Sequence, residues 1–159
     1  MAPLVKCTSL VPSQEAIIIL TSNSQAQDQQ NDSSYLCPVQ IGTPAQTLML
    51  DFDTGSSDLW VWSTELSQAD LSSAGSHTIY DPTKSSTYQQ TNSTWQISYG
   101  DSSSASGNVG TDVVSVGGLK ITGQAVELAN TISAQFQQDT ADGLLGLVSY
   151  FHLTNNCKC

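Results

Sequence analysis

Arginine is absent from the 159 residues, and lysine occurs only at Lys6, Lys84, Lys120 and Lys158, against 14 Asp+Glu, for a net charge of −10. No basic stripe exists to neutralise phosphates, which argues against a nucleic-acid-binding protein. Long apolar runs are lacking as well. Ala16-Ile-Ile-Ile-Leu20 is far short of the about 20 residues that span a bilayer. With only Lys6 ahead of it, it also falls short of a recognisable signal peptide. The usual Glu, Lys and Arg complement of surface helices is thin, with 11% charged residues. Ser, Thr, Asn and Gln supply about four residues in ten, a composition that suits strands and turns.

Cysteine is scarce and badly placed for a framework. Cys7 and Cys37 stand alone, while Cys157 and Cys159 form a C-x-C in a polar tail, which is neither a zinc knuckle nor a C-x-x-C redox pair. Unpaired thiols are expected. Asn31-Asp-Ser33 and Asn92-Ser-Thr94 are glycan acceptors if the chain enters a secretory compartment. His77 and His152 accompany no nucleophile motif, and no metal-ligand spacing appears, so no cofactor is expected.

From Tyr35 onward the pattern is β. Pro38–Ile41 and Gln46–Asp51 alternate around Gly42-Thr-Pro44. Leu59–Trp62 and Gln96–Tyr99 read as further strands, and Thr111–Val116 is expected to pair with Lys120–Thr122 across Gly117-Gly118. Ser63 to Thr94 reads mostly as a Ser/Thr-rich excursion, and Gln25 to Asn31 as a polar linker.

Chemistry concentrates in Leu50-Asp51-Phe52-Asp53-Thr54-Gly55-Ser56-Ser57-Asp58-Leu59-Trp60. A carboxylate at the end of an apolar strand, followed by Thr and Gly, is set in a tight turn whose N–H groups hold it. That makes Asp53 a positioned acid or base. Ile41-Gly-Thr-Pro44, Asp53-Thr-Gly-Ser-Ser-Asp-Leu-Trp-Val61, Ile97-Ser-Tyr-Gly-Asp101, Ile132–Thr140 and Asp142-Gly-Leu-Leu-Gly-Leu147 occur in an order that resembles the pepsin-like aspartic endopeptidases, in particular their fungal penicillopepsin and aspergillopepsin group.

The resemblance implies an all-β pepsin-like N-terminal lobe, an incomplete double-psi-type barrel carrying a flap hairpin. It divides the chain into a leader remnant or linker over 1–30, the lobe over 31–147 and a divergent tail over 148–159. It makes Asp53 the first of two catalytic aspartates, supported by Thr54, Gly55, Ser56 and Trp60. Thr54 would link the two active-site loops, and Ser56 would hydrogen-bond Asp53. Tyr99 would be the flap tyrosine that reaches the Trp60 indole, with Gly100 and Asp101 against the peptide backbone. Phe136 and Leu144 would line an apolar subsite. Asp101 and Ser103 hold the flap positions at which relatives with an acidic residue accept lysine as well as large apolar side chains, and Asp51, two residues before Asp53 and on the same side of the strand, would add negative charge there. On composition alone, Tyr99, Trp60 and Phe136 read as core aromatics, and Asp51 and Asp101 as solvated carboxylates.

The implied substrates are proteins or peptides, and the implied setting is extracellular. Family members carry two D-[TS]-G aspartates, whereas this sequence holds one and leaves the pattern after Leu147. The expectation is therefore a truncated lobe, inactive alone, that needs a complementary C-terminal lobe. The alternatives are a self-dimer in which each copy donates Asp53, as in retroviral proteases, and a non-catalytic peptide-binding lobe. Leu144, Leu145, Leu147 and Phe151 are expected to be exposed for want of a covering partner.

Overall fold

The computed structural model describes residues 26–29 and 34–147. Residues 1–25 and 30 of the leader, the tail, Cys7, Cys157, Cys159, the Asn31 sequon, His152 and Phe151 lie outside the described residues.

The first strands are β1 (Gln27–Gln29), β2 (Ser34–Ile41), β3 (Gln46–Asp53) and β4 (Leu59–Trp62). The Ser63–Thr94 stretch holds a short helix, α1 (Gln68–Ser73), then a 3-10 turn at Pro82–Lys84 and the start of β5 (Gln89–Ser98). The chain continues through β6 (Ser104–Val116), β7 (Leu119–Ile132) and β8 (Gly143–Gly146). Helix α1 is too short to show a sequence period. Its N-cap is Ser67, whose hydroxyl accepts from the Asp70 N–H at 3.2 Å. Gln27–Gln29, in the stretch read as a linker, pairs antiparallel with β2.

The hydrogen-bonded order is β1-β2-β3-β8-β4-β7-β6-β5, and an additional β2–β6 pairing joins the sheet to itself. The all-β expectation holds, and the barrel ring, anticipated as incomplete, closes over six strands from β2 to β6. The β6–β7 hairpin turns at Gly117-Gly118, with Ser115 opposite Lys120 as the glycine pair suggested. Both its strands run far longer than the sequence reading had them.

Alternation along the strands divides the apolar residues into two clusters. Val39, Ile41, Leu48, Leu50, Leu59, Val61, Val126 and Leu128 fill the barrel. Trp60, Trp62, Ala105, Ala129, Ile132 and Leu144 point out of it, beneath Trp95, Tyr99 and Phe136. Neighbouring residues of the fully buried strand β4 thus serve opposite cores, which places the second core directly under the flap.

Strand β8 positions the site. It inserts between β3 and β4, parallel to the first, with Asp53 opposite Gly146, and antiparallel to the second, with Trp60 opposite Leu144. A Cβ at Gly146 would stand 2.5 Å from the Ser56 carbonyl oxygen, so only glycine lets β8 approach the 54–58 turn this closely. Asp142, 3% exposed, staples the entry to β8. Its carboxylate accepts the Met49 and Thr78 N–H groups, each at 2.8 Å, and its main chain bonds Met49 and Trp62. His77 Nδ1 lies 3.4 Å from the same carboxylate, with its ring stacked on Trp62 at 4.2 Å.

Candidate active site

Asp53 ends β3, and its Oδ1 accepts the Gly55 N–H at 2.7 Å. Its carbonyl accepts the Leu147 N–H at 2.7 Å. The strand-end turn expected from Asp-Thr-Gly is therefore present, and it is clamped by the last residue of β8 and the one after it, Gly146 N–H donating to the Asp58 carbonyl at 2.8 Å and Leu147 N–H to that of Asp53. Thr54 and Gly55 are exposed. Ser56 Oγ, expected to hydrogen-bond Asp53, is buried with no hydrogen-bond partner among the described residues.

The flap is the tip between β5 and β6. Tyr99 N–H donates to the Ser103 carbonyl at 2.9 Å, and Ser102 N–H donates to the Tyr99 carbonyl at 3.1 Å. Ser102 takes φ 69°, in the left-handed region that an L residue adopts at a cost. Asp101 turns back on the tip. Its Oδ1 accepts from the Ser103 N–H at 2.9 Å and from the Ser103 hydroxyl at 2.6 Å. The hydroxyl bond, followed by the main-chain one, holds this fully exposed carboxyl below its ordinary range. Ser103 is itself buried and braces Asp101 through both bonds. Gly100 is exposed, and a Cβ there would meet nothing within 4 Å.

Tyr99 and Trp60 meet as the resemblance implied, the indole Nε1–H donating to the Tyr99 hydroxyl at 2.9 Å. Burial, followed by the fields of Asp53, Asp58 and Glu127, pushes the phenol up to about 12, and the indole hydrogen bond opposes this. Phe136 packs edge-on against Trp60 at 4.9 Å and against Tyr99 at 5.8 Å, while Trp95 stacks on Trp60 at 6.0 Å. The loop that carries Phe136 is tied to the flap's base, with Ser133 N–H donating to the Ser104 carbonyl at 2.9 Å. These aromatics form one partly buried apolar cluster.

Leu144, expected to be exposed, is buried under Trp60 because β8 turns it away from the barrel into the second core. Leu145 is half-buried, and Leu147 is 42% exposed. Asp51 is half-buried. Its carboxyl is raised, first by burial and then by Asp139 and Asp53, against a lowering main-chain hydrogen bond from Tyr35. Asp51 thus lies in the field of Asp139 and Asp53.

Sequence reasoning missed Glu127 and Asp58 as members of this site. Glu127 is pushed up to about 8, first by burial and then by Asp58. Asp58 is raised by burial. Val126 and Leu128 mark β7 as a barrel strand, but nothing in the sequence says that the opposite face, which carries Glu127, lies under the flap. Among the described residues no group of three His, Cys, Asp or Glu is arranged to hold a metal ion, and no helix is long and apolar enough to cross a membrane.

Comparison with known proteins fits this geometry. A family model of eukaryotic aspartyl proteases matches residues 34–156. Endothiapepsin of Cryphonectria parasitica is 60% identical over 118 residues, which are 73% of this chain and 27% of the relative. Penicillopepsin-1 of Penicillium rubens is 51% identical over 145 residues, 91% of this chain and 35% of the relative. Rhizopuspepsin-1 of Rhizopus niveus is 55% identical over 120 residues, 76% and 30%. The chain spans about a third or less of the curated relatives it matches.

Proposed function

Since the chain belongs to the eukaryotic aspartyl protease family, we propose that it supplies one catalytic half of an acid endopeptidase, with Asp53 as its reacting carboxylate. The observation that carries this reading is the Asp53 turn, fixed by the Gly55 N–H, with Tyr99, which accepts the Trp60 indole hydrogen bond, in the field of Asp53. A second carboxylate set against Asp53 would share a proton with it, because two adjacent carboxylates do not both ionise readily. One member then removes a proton from water while the other protonates the scissile carbonyl. No covalent intermediate forms.

The remaining residues have supporting roles in this reading. Thr54 and Gly55 shape the turn that meets the second carboxylate's loop, and Ser56 Oγ is placed to take a hydrogen bond within it. Tyr99, Gly100 and Asp101 close over the peptide and exclude water. Phe136 and Trp60 offer the apolar wall for a large side chain. Asp51, joined by Asp139, favours a cationic one. Substrates are proteins or peptides, and the extracellular setting of the resemblance belongs to the same proposal.

The chain's single Asp-Thr-Gly sets the test. Incubated alone with a denatured protein at about pH 3–5, where a shared-proton dyad works, the chain leaves the protein uncut. Pepstatin-sensitive cleavage that disappears in Asp53→Asn would replace this reading with a homodimer in which two copies of Asp53 meet. Pepstatin or peptide binding that is unchanged by Asp53→Asn would favour a binding lobe.

A further inference from the structure

Glu127 is a carboxyl that the proposed chemistry does not use. It stands in parallel register with Trp60 across the β4–β7 seam, so the two side chains leave the same face of adjacent strands, about 4.8 Å apart at the backbone. That face is the second core, below Tyr99 and Phe136. Asp58, in the turn just before β4, is near enough for its charge to act on Glu127. Glu127 Oε2 is buried and has no hydrogen-bond partner among the described residues.

We propose that Glu127, with Asp58, is a positioning pair for the flap, which keeps the Trp60–Tyr99 hydrogen bond made while Glu127 is protonated and releases it when Glu127 ionises. A neutral carboxyl tolerates the apolar seam, whereas an ionised one left with an unpaired oxygen does not. Once charged, Glu127 is also a stronger acceptor for the indole N–H than the phenol oxygen is. The Trp60 hydrogen bond then passes from Tyr99 to Glu127, and the flap loses its anchor.

The groups around Glu127 fix the direction of this switch. Asp58 faces it from the turn before β4, and Tyr99, itself in the field of Asp53 and Asp58, faces it from the flap. Strand β6 places Val109 opposite Glu127, and the neighbouring Asn108 amide is occupied by Glu65 at 2.7 Å. Strand β8 presents Leu144. None of these is a cation, so none of them offsets the charge. Burial, followed by Asp58, accordingly raises Glu127 to about 8, and the anchor holds in acid and fails as the pH rises through that value.

The inference rests on the protease reading only for its consequence, since its test reads the flap and not proteolysis. Backbone amide exchange is followed by NMR in the full chain at about pH 5 and about pH 9, as protection factors that remove intrinsic base catalysis. The Tyr99 and Ser102 amides are expected to lose about tenfold or more in protection in the native chain and about twofold or less in Glu127→Gln. Unchanged flap protection in the native chain would overturn the inference, as would an equal loss in Glu127→Gln. So would an equal loss at the Asp142 and Leu147 amides, which report the barrel. Asp58→Asn provides an independent check: without the like charge, the flap transition moves to lower pH, and an unmoved midpoint would also refute the pairing.

Discussion

Asp53 shows what a single residue inherits from its turn. Its carboxylate is held by the Gly55 N–H two residues on, a local device that Asp-Thr-Gly announces in the sequence. Ser102 shows the opposite. At φ 69° it sits in the left-handed region that glycine takes without cost, and Ser102→Gly is expected to raise unfolding stability by about 0.5–1 kcal/mol in urea titration. Unchanged or lower stability would place the strain elsewhere. Asp142 holds two distant N–H groups from a buried position. Asp142→Ala strands the Met49 and Thr78 N–H groups, and should lower stability by about 3 kcal/mol in the same titration. Its place in Asp142-Gly-Leu-Leu-Gly-Leu147 was legible, but its role as a staple was not, because both donors lie more than 60 residues away.

At the scale of elements, strand β4 and its two neighbours govern the account. Leu59-Trp-Val-Trp62 was readable as a strand, and its complete burial follows from lying between β7 and β8 with a core on each face. That second core is what hid Glu127, since a strand covered on both faces does not show the clean alternation that marks an exposed side. The seam makes the lobe an acid-stable structure. Glu127 sits above its ordinary value of 4.5, at about 8. Its stabilising share is complete below about 4.5, erodes as the unfolded state begins to ionise, and is gone once the pH has risen through about 8. Urea midpoints should therefore fall between about pH 5 and about pH 8, and fall less in Glu127→Gln. Asp112 has the opposite sign. Burial would raise it, but hydrogen bonds from Thr87, Tyr80 and the Val113 N–H hold it low. Its share is present above the ordinary carboxylate range and is lost only as the pH falls through its lowered value.

For the whole molecule, a ring of six strands closes through the β2–β6 pairing, in a chain with no arginine and a net charge of −10. Its fold was readable from motif order and turn glycines, whereas ring closure through β2–β6 was not, because Val39 and Val116 meet across 77 positions of sequence. One face remains apolar. A groove of about 280 Å³ runs between Phe52, Leu145, Leu147, Leu119 and Ile121, and the last three are each more than 40% exposed. This groove is expected to bind the dye ANS, and replacing Leu119 and Ile121 with serine should cut the bound fluorescence at least about twofold. Equal fluorescence in the variant would place the apolar surface elsewhere.

The central claim is that Asp53 reacts only with a second carboxylate beside it. Its most direct measurement mixes this chain with a separately produced C-terminal portion of Penicillium rubens penicillopepsin-1 and follows peptide cleavage at about pH 4. Pepstatin-sensitive turnover that appears only in the mixture, and falls by about 10³-fold or more in Asp53→Asn, is the predicted result. Turnover in the mixture that survives Asp53→Asn would contradict the account.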